Sequence, residues 1–401
     1  MPGADGTRGR RARGDGLPGE VARRSPLLGA LAALVIIVGV GLLALPHHHT
    51  SARPATGATA SRALVQLTGL VGSEKADFFG DGRVQQAFAA DRLSVAVQHS
   101  GSWQMAGEVK QNVYDFAFPA SSVAAKAIDT PIAATPVRPF YSPLVVIAHA
   151  ATADFLKANG LAKQDPGTGV WTFEMGQYLA DVQRRLAWSD LTGGHRPPDV
   201  AGKIYVATTD PSSSSSASLY LAVMSYLANG GQVVSDTTGI DRVAPLLQYL
   251  MANQGALLAS SDQLFRDFEA GTGKPLSWTY ESEVAEQAMQ GRTPVDTVVL
   301  YPDTDVQSDH TLVELTKQSD LLAQALTKDP KLVALEADFG FRPVNEPQAM
   351  VDELTAGRSP DPARQTVFAR DLASLGTFQP PAPTTDVLQK LVAAAVPTGS
   401  S

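Results

Sequence analysis

Apolar positions along the chain fall into short runs separated by polar, Gly- or Ser-bearing loops, and the period of the runs changes repeatedly. Leu64–Val71 is apolar and carries β-branched residues, as a strand does. Asp81–Ala90 instead places Val84, Ala87 and Phe88 on one face of a helical period, which predicts a short helix. Leu93–Val97 and Tyr114–Phe118 read as strands. Leu144–Ala148, after Pro143, is a continuous apolar run of the kind that forms a buried strand. Phe173–Trp188 reads as a helix and Ile204–Thr208 as a strand. Helices are predicted over Ser218–Leu227, Asp241–Asn253 and Asp262–Ala270, and strands over Trp278–Tyr280 and Thr297–Leu300, with a helix over Ser282–Gln290 between them. This alternation predicts an α/β fold with a mostly parallel sheet and covering helices. No repeat of fixed period is present. Glu346–Pro383 is richer in Pro and polar residues, and Asp386–Val396 predicts a last helix.

The N-terminal pattern differs from the rest. Leu27–Leu45 holds no charged residue. About 19 residues at roughly 1.5 Å each approach the hydrocarbon thickness of a bilayer. Six arginines precede it, at 8, 10, 11, 13, 23 and 24. The positive-inside rule then keeps residues 1–26 cytoplasmic and puts everything after Leu45 outside. A cleaved signal peptide is the competing reading, with Ala58-Thr59-Ala60 as a small-x-small site, but the apolar stretch is long for one. Residues 46–62 are rich in Pro, Ala, Thr and Ser and read as a flexible stalk. His47, His48 and His49 have no further ligand nearby and are read as incidental rather than metal-binding.

Composition narrows the function. The 401 residues carry a net charge of −8; residues 1–26 contribute +3, so the remainder carries −11, the difference of the two. An acidic ectodomain without a basic patch is a poor nucleic-acid binder, and no nucleic-acid partner is expected. There is no cysteine, hence no disulfide and no lipidated N-terminus, so the apolar helix is the expected membrane attachment.

No His-Glu-x-x-His helix and no Gly-x-Ser-x-Gly elbow is present. Gly271-Thr272-Gly273-Lys274 resembles a phosphate loop, but Pro275 stands where a magnesium-binding hydroxyl belongs and Phe268 where the first Gly belongs, so it reads as a turn. No enzyme activity, cofactor or metal site is expected. The informative feature is a set of hydroxyl-rich loops between strands and helices: Gly72-Ser73-Glu74, Ser100-Gly101-Ser102, and Asp210-Pro211 through Ser216. In open α/β sheets ligands sit outside the carboxyl ends of strands, and helix starts favour anions. The alternative for Ser73 and Ser102 is a helix cap, and for the Ser run a linker.

These residues resemble the bacterial extracellular solute-binding proteins related to molybdate-type binders, in the form often joined to a von Willebrand A domain. Tyr114-Asp115-Phe116-Ala117, Ser142-Pro143-Leu144-Val145-Val146, Asp210-Pro211 through Ser216, Ala259-Ser260-Ser261, Tyr280-Glu281-Ser282, Leu300-Tyr301-Pro302-Asp303 with Ser308-Asp309-His310, and Phe341-Arg342-Pro343 fall in the family's order. His310-Thr311 replaces the family's Tyr-Pro, and Ser215 its Asn; both departures leave ligand identity open. The resemblance implies a two-lobed type II periplasmic-binding-protein fold over 63–345, with lobe 1 about 63–140 and 295–345 and lobe 2 about 141–294. Residues 346–401 would be a C-terminal extension. It implies a cleft in which Ser73 and Ser102 face Ser214 and Ser216. With Ser215 and Glu281, these are the candidate ligand-binding residues. A carboxylate at Glu281 would repel an oxyanion, so either it caps a helix or the solute is not a simple anion. Trp103, Trp171 and Trp278 are stacking candidates for a sugar or aromatic solute, or core.

The expected function is a membrane-anchored extracytoplasmic binder of a small polar solute or oxyanion, for transport or sensing. A transporter permease or a von Willebrand A-domain protein is the partner class the resemblance implies. Three alternatives stand: a binding domain that has lost its ligand and serves as a cell-surface partner protein, a hydrolase with an unrecognised serine nucleophile, and a magnesium-dependent adhesion module using Asp210, Ser212 and Ser214.

Overall fold

The computed structural model describes residues 64–111, 113–292, 296–356 and 366–396. Leu27–Leu45, the segment before it and the stalk lie outside the described residues. Among the described residues no helix is long and apolar enough to cross a membrane.

The strands, in chain order, are β1 (Val65–Val71), β2 (Leu93–His99), β3 (Phe116–Phe118), β4 (Phe140–Tyr141), β5 (Leu144–His149) and β6 (Ala162–Gln164). They continue with β7 (Trp171–Phe173), β8 (Leu276–Tyr280), β9 (Thr297–Pro302), β10 (Val313–Glu314) and β11 (Arg342–Pro343). Two main sheets result. Lobe 1 holds β10-β3-β1-β2, in which β1 runs parallel to both β2 and β3 and β10 closes one edge antiparallel. Lobe 2 holds β6-β7-β9-β5-β8.

In lobe 1 the apolar face predicted for Asp81–Ala90 is buried: helix Gly82–Ala90 sets Val84, Ala87 and Phe88 against Leu67, Val71 and the helices Asp320–Lys328 and Pro330–Asp338. Asp81 caps that helix, its carboxylate accepting the Arg83 N–H at 2.7 Å. In lobe 2, β5 explains its own sequence. Leu144, Val146 and Ala148 face one hydrophobic core and Val145 and Ile147 another, so no position can be polar. Burying each such aliphatic side chain contributes roughly 1.5–3 kcal/mol.

Three expectations change. The lobe 2 sheet is mostly antiparallel, since β5 pairs antiparallel with both β8 and β9. The chain enters this lobe along β5 and leaves along β9 past the same hinge, so the two crossing strands must run in opposite directions. For the same reason β9 belongs to lobe 2, not to the lobe 1 segment expected from residue 295. The stretch after 346 is no separate extension: helix Thr385–Ala395 buries Leu388 and Leu391 in the lobe 2 core, and helix Ala349–Ala356 buries Met350 and Leu354 against β5 and β9.

A two-stranded ladder of β4 and β11 lies beside the crossing strands. Here Arg342 on β11 makes a bidentate ion pair with Glu281, Nε to Oε2 at 2.6 Å and Nη2 to Oε1 at 2.7 Å. Burial works against the guanidinium's charge, but Glu281 overrides it and holds Arg342 above its ordinary pKa.

Candidate functional site

The loops after β1 and β2 lie at the carboxyl edge of a parallel sheet, so they emerge side by side. Across from them stand the starts of two lobe 2 helices, Ser215–Ala228 and Ser261–Glu269. Between these parts is a cavity of ≈ 280 Å³ whose wall includes Ser73, Ser102, Ser214, Ser215, Ser260 and Ser261. All three hydroxyl-rich loops singled out in the sequence meet there.

The serines do different work. Ser214 is the residue before its helix, yet it makes no capping hydrogen bond; its Oγ lies 2.9 Å from Ser216 Oγ. Ser216 in turn lies 3.0 Å from Thr209 Oγ1 and is fully buried, so it sits behind the wall and fixes Ser214 rather than facing the cavity. Ser260 likewise precedes its helix without capping it. Two helix starts therefore present backbone N–H groups toward the cavity without a side-chain cap. Ser215 Oγ lies 3.0 Å from Ser121 Oγ, and Ser102 Oγ accepts the Ala120 N–H at 3.1 Å.

The lobes touch at the rim. Trp103 N–H donates to Ser213 O at 3.2 Å, and its indole Nε1–H donates to Ser218 Oγ at 3.0 Å. Gly101 permits this approach, since a Cβ there would lie 2.7 Å from Ser213 O. Trp171 and Trp278 are core residues. Asp210 uses its carboxylate to accept from Ser212 N–H at 2.8 Å and Ser212 Oγ–H at 2.7 Å, which closes a local turn.

Glu281 requires a correction. It is fully buried, held by Arg342 and by the Tyr301 hydroxyl, and it does not line the cavity. Its carboxylate fastens the hinge, where a guanidinium can neutralise it. The carboxylate on the cavity wall is Glu74. It pairs with Lys75, which is fully buried, lies 3.0 Å from His310 Nδ1 and stands over the Phe118 ring at 4.9 Å. Burial lowers the Lys75 pKa, and Glu74 opposes that shift. Burial, with Lys75 beside it, pushes His310 well below its usual pKa, so the imidazole is neutral. Lys75 is the ion-pair partner of Glu74, and the remaining wall offers hydroxyls and N–H donors.

A second cavity of ≈ 600 Å³ adjoins the first through Ser73 and Glu74 and is lined by Asp77, Asp262, Glu269, Glu283 and Glu286, with Arg266 and Arg292. Burial pushes Glu283 up to about 8 and Glu286 up to about 7. Sequence reasoning missed Lys75 and this acidic groove. His310 and Ser260-Ser261 were visible only as motif positions.

No protein-family model and no curated protein sequence matches the chain. Among solved structures, a "two-component system protein mediate signal transduction" aligns at 12% identity and a TM-score of 0.51, covering 82% of this chain and 100% of the other. Iron-bound HitA from Pseudomonas aeruginosa aligns at 14% identity and 0.48, covering 82% and 97%. The sulfate-binding protein SubI from Mycobacterium tuberculosis H37Rv aligns at 17% and 0.44, covering 74% and 92%. The first likeness concerns the fold alone, and the two weaker alignments carry no argument. Two α/β lobes, a pair of crossing strands and a cavity at the strand ends make the architecture that of a two-lobed periplasmic-binding-protein fold.

Proposed function

We propose that the chain is an extracytoplasmic solute-binding protein, held at the membrane by Leu27–Leu45, that closes its two lobes on a small polar solute for transport or sensing. The observation that carries the reading is the meeting of the Ser73, Ser102 and Ser214 loops, from both lobes, around one cavity of ≈ 280 Å³. A ligand touching both lobes has differential affinity for the closed state, which is what drives closure. Uncapped helix starts and neutral hydroxyls suit an oxyanion, or a neutral solute rich in acceptors. The pairing of Glu74 with Lys75 removes the nearest obstacle to an anion. A transporter permease is the partner this role calls for, and a von Willebrand A-domain protein is a second candidate.

The test is a thermal-shift panel of oxyanions, sugars and amino acids on the full chain. A ligand at about 100 times its Kd should stabilise by about 2.7 kcal/mol. Ser73→Ala with Ser214→Ala should then weaken binding by roughly 3–6 kcal/mol for a charged ligand. Ser214 makes no cap bond, so its loss should leave the helix start intact. Full affinity in the double variant would remove these serines from the site. Silence across the panel would favour a surface partner protein that has lost its ligand.

A further inference from the structure

Glu74 is the one carboxylate in the wall of the ≈ 280 Å³ cavity, and its two oxygens differ. Oε1 faces the interior: it pairs with the fully buried Lys75 and lies 3.6 Å from His310 Nδ1. Oε2 has no hydrogen-bond partner among the described residues. Unlike the carboxyl oxygens of Glu336, it is not sealed off, and Glu74 lines both cavities of the cleft. Gly72 fixes this placement. A Cβ there would overlap both Glu74 oxygens, so glycine lets the carboxylate fold back against the end of β1.

No cation waits beside Oε2. Among the described residues no lysine or arginine lines this cavity, and His99, the one wall residue able to carry positive charge, is exposed. The rest of the polar wall is hydroxyls, Gln104 and the start of two helices, Ser215–Ala228 and Ser261–Glu269.

A solute must therefore satisfy donors and, at Glu74 Oε2, an acceptor. A fully deprotonated oxyanion has only acceptors. The pairing with Lys75 answers charge at Oε1, but at Oε2 an oxyanion sets oxygen against oxygen with no proton between them. A hydroxyl group both donates and accepts. The cavity has room for roughly nine waters at about 30 Å³ each, which is the scale of a monosaccharide.

We infer that Glu74 is the residue that sets the specificity of the cleft, and that the solute is a neutral polyhydroxylated molecule: one solute hydroxyl donates to Glu74 Oε2 while others accept from the helix starts. The inference rests on the solute-binding reading above and narrows it. A site built to bond a hydroxyl rejects an analogue that lacks it, because the site's own polar group is then left unpaired.

The experiment is calorimetric titration of the full-length chain with D-glucose, D-galactose, D-mannose and myo-inositol, and with sodium sulfate and sodium molybdate. At least one polyol should bind saturably, about tenfold or more tighter than either anion. Among the monodeoxy analogues of that polyol, the one lacking the hydroxyl that meets Glu74 should bind roughly 10- to 150-fold more weakly. Glu74→Gln with Lys75→Met removes both charges, so no buried ammonium is stranded. In that variant the deoxy penalty should shrink at least about fivefold, and the ratio of polyol to sulfate affinity should fall about tenfold or more. The titrations of the parent chain decide even where the variant does not fold. Sulfate or molybdate binding tighter than every polyol, or monodeoxy analogues that all bind as well as the polyol, would overturn the inference and leave solute binding standing. Silence from polyols and anions alike overturns the inference too; the solute-binding reading falls only if amino acids are silent as well.

Discussion

Glu283 shows how far burial sets the behaviour of one residue. Its carboxyl accepts from the Ser261 hydroxyl at 2.7 Å, from Thr279 and from the Tyr280 N–H, all of which favour the charged form, yet burial outweighs them and holds it at about 8. The sign follows directly. A carboxyl whose folded pKa is raised keeps its proton in the native state while the unfolded chain loses it. Its stabilising contribution is complete below the ordinary carboxyl range and drains as pH rises from there to about 8, by at most about 1.4 kcal/mol per pH unit. Urea midpoints measured from acid to weakly alkaline pH should therefore fall, and the Glu283→Gln profile should be flatter. Parallel profiles would show that Glu283 ionises normally. Legibility at this scale divides along one line. Ser73, Ser102 and Ser214 could be found because loops after strands have a known place in an α/β fold. The Glu281–Arg342 pair could not, because its partners lie 61 residues apart and an ion pair leaves no local pattern. Lys75 was hidden for the same reason: its neighbour His310 is 235 positions away.

Elements were legible where their ends carry signals. Asp81 caps its helix, Pro143 precedes β5, and the apolar runs of β1, β2 and β5 fall where the pattern put them. Phe173–Trp188 was not one helix. β7 takes its start, helix Met175–Gln183 its middle, and Arg185 turns the chain with φ at 60°, a break no Gly or Pro announces. Ile204–Thr208 lies beside β8 but makes only an isolated bridge, Ala207 to Ser277. The last helix is the element whose role the pattern understated. Leu388 and Leu391 are fully buried against the long helices of lobe 2. Leu388→Ala should cost about 2–5 kcal/mol, read as a lower denaturant midpoint, although it is far in sequence from the rest of that core. A change within the range of a surface substitution would mean the helix is a dispensable tail.

At the scale of the whole molecule, the proposed closure has its tightest point where the two backbones meet at Gly101 and Ser213. Gly101→Ala puts a methyl group 2.7 Å from the Ser213 carbonyl oxygen and obstructs the interlobe contact that Trp103 makes there. Overpacking of this kind costs about 1–3 kcal/mol, so solute affinity should fall roughly 5- to 150-fold. Small-angle scattering should show ligand-induced compaction in the parent and less of it in the variant; equal compaction would mean the contact does not limit closure. Carbonate extraction should leave the full chain in the membrane, with the large domain accessible to external protease. A purified N-terminus near Ser61 would sink the anchor.

Neither lobe is a continuous piece of chain. The lobe 1 sheet needs β10 to edge strands laid down at the beginning, and the lobe 2 core needs Thr385–Ala395 to complete helices made much earlier. At synthesis rates of about 5–20 residues per second, roughly 80 residues separate β9 from that last helix, a delay of ~4–16 s. Throughout that interval the lobe 2 core lacks a wall. A ribosome-bound chain of this design cannot close its lobe 2 core until Thr385–Ala395 has emerged, and a polypeptide whose core is still open can be threaded through a translocation pore.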